Sequence, residues 1–361
     1  MIKTKKYLKK IFGFKKDLDN LAEVSWKEEK TKNYIIRKLG RNFCWSKKTA
    51  LIYKLGKGPA VFFRAELDAL NTVNGPKHVC GHSAHLAALM GAYLYFSAQG
   101  GSASGRKDNL LKHHTLYFVF QPSEENYPSG AKFITKNFAP LKKCKIGFAF
   151  HVCPEFHPGE IINPVFGSGD YFEIKINSSG GHVKDKNNLI KRDVILAAGR
   201  LIEEINSRKF DDYIANIGTI KGGEAANKIA GGAILTGDIR ALTFLSRKNA
   251  YRWLRGVCVK NQLKNQLVKI NLQYWRGYPI LKNNQKIFKK IKPILNIRKS
   301  VKSFGTEDFS LYPAPKIFLL IGTGGKEKLH SDNFKVSDKI VKSIFYNWIK
   351  IGENLDKISR F

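Results

Sequence analysis

Residues 115–120, Thr-Leu-Tyr-Phe-Val-Phe, constrain the fold most. A near-continuous apolar run of this length is a strand buried on both faces, and such strands sit inside mostly parallel sheets covered by helices. The run stops at Gln121-Pro122-Ser123-Glu124-Glu125. In open α/β sheets chemistry collects at the carboxyl ends of strands. Of two adjacent glutamates at such an end, one can bind a metal while the other serves as a base. Similar runs recur at 60–63, 146–150 and 317–322. The first leads into Arg64-Ala65-Glu66-Leu67-Asp68, where strand geometry points Glu66 and Asp68 to one face, a pair that needs a cation or solvent. The second ends at His151.

Between the first two of these strands lies His78-Val79-Cys80-Gly81-His82-Ser83-Ala84-His85, followed by a small-residue apolar run that reads as a helix. Thiolate and imidazole are good ligands for zinc-like ions once deprotonated. Cys80 and His82 are two apart, so a turn can aim both at one ion. A buried cysteine among incidental histidines is the competing reading of this stretch, because short Cys/His motifs match often.

Elsewhere in this half, residues 5–39 read as largely helical, 99–108 as a Gly/Ser-rich surface loop, 129–137 and 283–293 as helices, and 337–355 as a terminal helix. From residue 171 the texture changes. Strands at 171–177, 213–221, 233–241 and 268–275 alternate with helices at 189–207 and 245–263. The order β-α-β-β-α-β is the ferredoxin-like split motif, two helices on one face of a four-stranded antiparallel sheet. It predicts a domain at 169–276 inserted into a first domain made of 1–168 and 277–361.

The five cysteines lack disulfide-like spacing, and the lysine-rich start has no signal-type apolar core, so a cytoplasmic, membrane-free protein is expected. The net charge of +34 would favour nucleic acid or anionic surfaces. The cations, however, are spread along the whole chain, and Lys, Asn and Ile are abundant together, which is the mark of compositional bias. No specific nucleic-acid partner is expected.

The stretches Arg64 to Leu70, His78 to His82, Gln121 to Glu125, His151, Ser179 to His182, Gly237 to Arg240, Glu307 to Phe309 and His330-Ser331 together resemble the M20 metallopeptidase superfamily, in its amidohydrolase branch of hippurate hydrolases, indole-acetyl-amino-acid hydrolases and N-acetyl-diaminopimelate deacetylases. The resemblance covers about residues 15–350 in the family's order. It implies an α/β, zinc-peptidase-like catalytic domain with a mixed sheet flanked by helices, plus an inserted ferredoxin-like lid or dimerisation domain. It makes Cys80, His82, Glu125, His151 and His330 the ligands of one or two divalent ions: zinc or manganese, with cobalt or nickel also used by relatives. It makes Glu124 the general base, brings His182 to the scissile carbonyl, and gives Asn227 and Arg240 the substrate. The implied reaction is hydrolysis of N-acyl amino acids, N-acyl-diaminopimelate or N-acyl-ornithine among them, or scavenging of acyl-amino acids or peptides. A catalytically silent ligand-binding relative is the alternative. Both a monomer and a homodimer are compatible with the family. Hinges are expected near residues 167–169 and 277.

Several positions depart from the family pattern. Ser83 replaces an aspartate, which predicts a missing carboxylate behind the metal ligands. Asn71 replaces a proline, Val183-Lys184-Asp185-Lys186 replaces a small-residue and Pro-His pattern, and Ala230 replaces a proline. The ligand set is complete, so the departures predict an active enzyme with shifted specificity or relaxed constraint.

Overall fold

The computed structural model describes residues 2–98, 108–184 and 189–359. The loop expected at 99–108 lies outside them except for Asp108, which opens a short helix, and so do Asp185 and Lys186. The chain divides into two compact units. One comprises Met1–Pro164, Lys282–Val301 and Asp308–Phe361; the other comprises Val165–Leu281 and Lys302–Glu307. Among the described residues no helix is long and apolar enough to cross a membrane.

The first unit is built on a nine-stranded mixed sheet. Its centre is the expected set of apolar strands: Thr115–Gln121, Ala60–Glu66, Ile146–Cys153 and Lys316–Gly322, adjacent in that order and all parallel. Antiparallel strands extend both sides, Ala50–Gly56 and Phe43–Lys47 on one and Ile161–Phe166 on the other. The parallel strands bury nearly every side chain, as their composition requires. At about 1.5–3 kcal/mol for each fully buried large apolar side chain, this core dominates the unit's stability.

The helix His82–Ser97 is buried on all sides, which its polar-poor sequence permits. Gly91 allows its close packing: a Cβ there would lie 2.5 Å from Ile11 and 3.3 Å from Phe345, on the helices Ile2–Asp19 and Asp338–Glu353. The largely helical stretch over 5–39 forms two helices with a break between them. Helix Ile2–Asp19 ends, and Glu29–Leu39 begins only after Val24 bridges to Ala69 and Trp26 adopts a left-handed backbone. Glu23 then accepts hydrogen bonds from the N–H groups of Lys30 and Thr31, capping the second helix.

In the second unit the strands Ser168–Asn177, Tyr213–Gly222, Gly232–Ala241 and Lys269–Tyr278 form one antiparallel sheet, with the second, third, first and fourth strands in spatial order. Helices Val194–Asn206 and Phe244–Lys264 close its apolar core, and the arrangement is ferredoxin-like. The helix expected over 189–207 is two pieces. Asp193 interrupts it and caps the second, its carboxylate accepting from the N–H groups of Ile195 and Leu196. The glycines expected as hinges are packed. A Cβ on Gly277 would lie 2.1 Å from the carbonyl oxygen of Gly169, and one on Gly169 would lie 2.8 Å from Thr306. Glycine serves there for close backbone approach.

Candidate metal centre

Parallel strands put their carboxyl ends on one edge of the sheet, and the predicted ligands of the first unit meet at that edge. Beyond strand Ala60–Glu66 the chain passes Asp68 and turns at Gly81 into the helix that begins with His82. Gly81 has φ +87°, and a Cβ would stand 2.5 Å from Val152, so only glycine fits. Beyond Thr115–Gln121, Ser123 turns the chain with φ +45° and presents Glu124 and Glu125. His151 comes from strand Ile146–Cys153. His330 comes from the loop after Lys316–Gly322, its N–H bonded to the Val79 carbonyl at 2.9 Å.

The Cys80 Sγ lies 3.3 Å from His151 Nε2 and 3.4 Å from His330 Nε2. His82 Nε2 lies 3.9 Å from carboxylate oxygens of both Glu124 and Glu125, and Glu125 is also 3.9 Å from His330 Nε2. The predicted ligands form overlapping sets close enough to hold an ion, among them Cys80 with His82 and His151, Cys80 with Glu125 and His330, and His82 with Glu124 and Glu125.

The ring orientations are fixed by carbonyls. His82 Nδ1 donates to the Asp68 carbonyl at 2.8 Å and His151 Nδ1 donates to the Val152 carbonyl at 2.7 Å. A proton on each Nδ1 leaves the Nε2 lone pair facing the cluster. His82 Nε2, Glu125 Oε1 and Asp68 Oδ1 are buried and have no hydrogen-bond partner. Buried polar atoms are normally satisfied. Orphaned lone pairs on an imidazole and on carboxylates, beside a buried thiol, fit a divalent cation.

Electrostatics point the same way. Burial raises the Cys80 thiol well above its ordinary range, and Glu125 and Glu124 raise it further. Burial holds His151 down to about 3, with His85 adding to the effect. At His82 burial also opposes protonation, but Glu66, Asp68 and Glu125 outweigh it and raise the group. Carboxylates and a thiol crowded around imidazoles demand positive charge, and a bound cation inverts the preference of the thiol.

Other chemistry-bearing residues of these motifs are structural. His85 donates from Nδ1 to Glu66 at 2.9 Å and accepts the Val152 N–H on Nε2 at 3.1 Å, so both nitrogens are committed. Glu66 and Asp68 share no solvated face: both are fully buried, with different partners. Glu66 pairs with the buried guanidinium of Arg64, which also reaches Asp308 at 2.7 Å. Asp308 in turn accepts from Gln121 at 2.8 Å and Ser129 at 2.7 Å. This network ties three chain segments beneath the cluster. At position 83, where a carboxylate was expected to be missing, the Ser83 hydroxyl donates to Asp19 at 2.6 Å.

His182, Asn227 and Arg240 belong to the second unit. His182 is exposed on a ribbon of Gly181–His182 with Lys228–Ile229, and its Nδ1 accepts the Lys184 N–H at 3.2 Å. Asn227 is exposed beside it, its carbonyl accepting the Val183 N–H at 3.3 Å. Arg240 sits apart on the four-stranded sheet, paired with Asp238 at 3.2 Å and donating to the Phe304 carbonyl at 3.2 Å. Sequence reasoning missed the supporting roles of Glu28, Asp68 and Asp308. Asp68 and Asp308 lie in recognised stretches, but only the fold shows what they hold, and Glu28 carries no local signal at all.

The family model described as peptidase family M20/M25/M40 matches residues 62–350. An N-acetyldiaminopimelate deacetylase of Listeria innocua is 30% identical over 266 residues, 65% of this chain and 68% of its own length. An N-acetyl-L-cysteine deacetylase of Bacillus subtilis is 26% identical over 382 residues, 96% of this chain and 89% of its own length. Among solved structures, a putative aminohydrolase from methicillin-resistant Staphylococcus aureus superposes with a TM-score of 0.85 at 21% identity, covering 98% of both chains. A Bacillus subtilis protein described as a dinuclear metal-binding peptidase from the M20 family superposes at 0.82 with 23% identity, over 98% of this chain and all of its own.

Proposed function

The chain belongs to peptidase family M20/M25/M40, and we propose that it is a metal-dependent hydrolase of the amide bond in N-acyl amino acids. One observation carries the reading. Cys80, His82, Glu125, His151 and His330 converge with the lone pairs of His82 Nε2 and Glu125 Oε1 buried and unpartnered. The two relatives named as deacetylases of N-acetylated amino acids support the substrate class.

On this reading those five residues hold one or two divalent ions, with zinc or manganese favoured by the donor set. When bound, the ion supplies a Lewis acid that acidifies water and polarises a carbonyl. Glu124 is only slightly exposed and lies against His82, and it takes the proton of the attacking water and returns it to the leaving amine. His182, as a hydrogen-bond donor, stabilises the oxyanion. Asn227 and Arg240 hold the substrate carboxylate, and the inserted domain serves as the lid that excludes water, and as a dimer contact in a homodimeric form. The deacylated product is a free amino acid, with N-acetyl-diaminopimelate as the first candidate substrate. Glu124→Gln tests the mechanism. Turnover of N-acyl amino acids falls by about 100- to 10,000-fold while bound metal is retained. Unchanged turnover rules out Glu124 as the base.

A further inference from the structure

Glu28 lies far from the ligands in sequence and outside every motif that carries the chemistry, yet it is fully buried. Its two carboxylate oxygens have separate tasks. One accepts the hydroxyl of Thr49 at 2.7 Å and the other accepts the backbone N–H of Ser123 at 2.9 Å. Ser123 is the residue that turns the chain from strand Thr115–Gln121 to the paired glutamates, and it does so with a left-handed backbone, φ +45°, that a serine rarely adopts. A backbone N–H at such a turn lies beyond the ladder and has no regular partner. Glu28 supplies one. On its other side Ser123 is held by its own hydroxyl, which donates to the Asn126 carbonyl at 2.9 Å and the Pro128 carbonyl at 3.2 Å.

Glu28 is the last link of a segment, residues 23–28, that laces this turn at several points. Ser25 donates to Asp68 at 2.7 Å, and the same Asp68 oxygen accepts the N–H of Glu125 at 3.0 Å. The Trp26 indole donates to the Pro128 carbonyl at 2.8 Å. Asn126 reaches Ser25 at 3.3 Å. The turn bearing Glu124 and Glu125 is thus gripped at both ends by a segment that contributes no ligand.

We propose that Glu28 is a positioning residue for the glutamate pair, holding the Ser123 turn so that Glu125 meets the metal cluster and Glu124 faces the reacting water. The inference rests on the reading of the cluster as a metal-dependent hydrolytic site. It concerns reach rather than charge, so two conservative variants separate it from a merely structural role. Glu28→Gln keeps an oxygen acceptor at the same distance. Glu28→Asp keeps the charge and withdraws the oxygen by one methylene.

The test measures kcat and KM for an N-acetyl amino acid, metal affinity by chelator competition, and thermal melting for each variant. Glu28→Gln stays within about threefold of the wild type. Glu28→Asp and Glu28→Ala lose about 100-fold in kcat, the scale of a displacement of roughly 1 Å at reacting groups. They also lose about 10-fold or more in metal affinity, with KM little changed. A core variant in the C-terminal helix, Ile344→Ala, lowers the melting temperature without changing kcat per metal-loaded molecule. Wild-type kcat and metal affinity in Glu28→Asp would overturn the inference and leave the hydrolase reading intact. A wild-type protein that neither loads metal nor hydrolyses the substrate would overturn both.

Discussion

His82 Nδ1 donates to the backbone carbonyl of Asp68 across 2.8 Å, while the side chain of the same aspartate accepts the N–H of Glu125 at 3.0 Å. One residue thus orients two predicted ligands from different segments of the chain. Its main chain sets the tautomer of His82, and its carboxylate anchors the backbone of Glu125. Asp68→Ala keeps the carbonyl and removes the oxygen that receives the N–H of Glu125 and the hydroxyl of Ser25. Titration with zinc or manganese is expected to show about 10- to 100-fold weaker binding, the usual cost of losing a partner behind a ligand. The folded structure, followed by circular dichroism, is retained.

Gly81 separates the two closest ligands in the sequence. An alanine there meets Val152 and must also hold φ +87°. The backbone strain alone costs about 1–3 kcal/mol. Gly81→Ala therefore lowers the melting temperature and moves Cys80 away from His82, so that metal stoichiometry falls even in the folded fraction.

Position 83 carries a coupled pair. The buried Ser83 hydroxyl donates to Asp19, which also receives Lys15 at 2.7 Å. Restoring the family's aspartate by Ser83→Asp sets two carboxylates against each other. The expected loss is at least about 1–3 kcal/mol, measured by urea denaturation, because the new carboxylate at the buried position 83 faces Asp19 without a donor. Asp19→Asn in the same chain restores a donor and recovers most of that loss. Equal stability of both variants would show that the pair is not coupled.

Lys316 opens the last parallel strand, and burial brings its ammonium down to about 8 from an ordinary 10.5. Between those values the unfolded chain holds more protons at this site than the folded one, so the contribution of Lys316 to stability rises with pH. Below about 8 both forms are protonated and the penalty is full; above about 10.5 it is gone. The stability difference between Lys316→Met and the wild type should therefore shrink as pH is raised from 8 to 10. A difference independent of pH over that range contradicts the shift.

The apolar runs at 60–63, 115–120, 146–150 and 317–322 were legible as strands because full burial leaves an unmistakable composition, and the polar residues that end them were legible as a cluster for the same reason. The ferredoxin-like order of the inserted unit was legible from turns and period alone. The edge strand Phe43–Lys47 was not, since half-exposed residues obscure its alternation, and Ile161–Phe166 was hidden by the proline within it. The break at 20–28 was not legible either. It arises from contacts with residues 68–69 and 123–128, which no local pattern encodes. The same holds for Glu28, whose importance lies in what folding places beside it.

The most direct measurement is release of free amine from N-acetyl, N-succinyl and N-benzoyl amino acids, diaminopimelate and ornithine derivatives included, by chelator-treated protein before and after adding zinc or manganese. Hydrolysis that is absent after chelation, returns with metal and favours one N-acyl amino acid is the predicted result. Protein that binds the metal and still hydrolyses none of these amides would contradict the assignment.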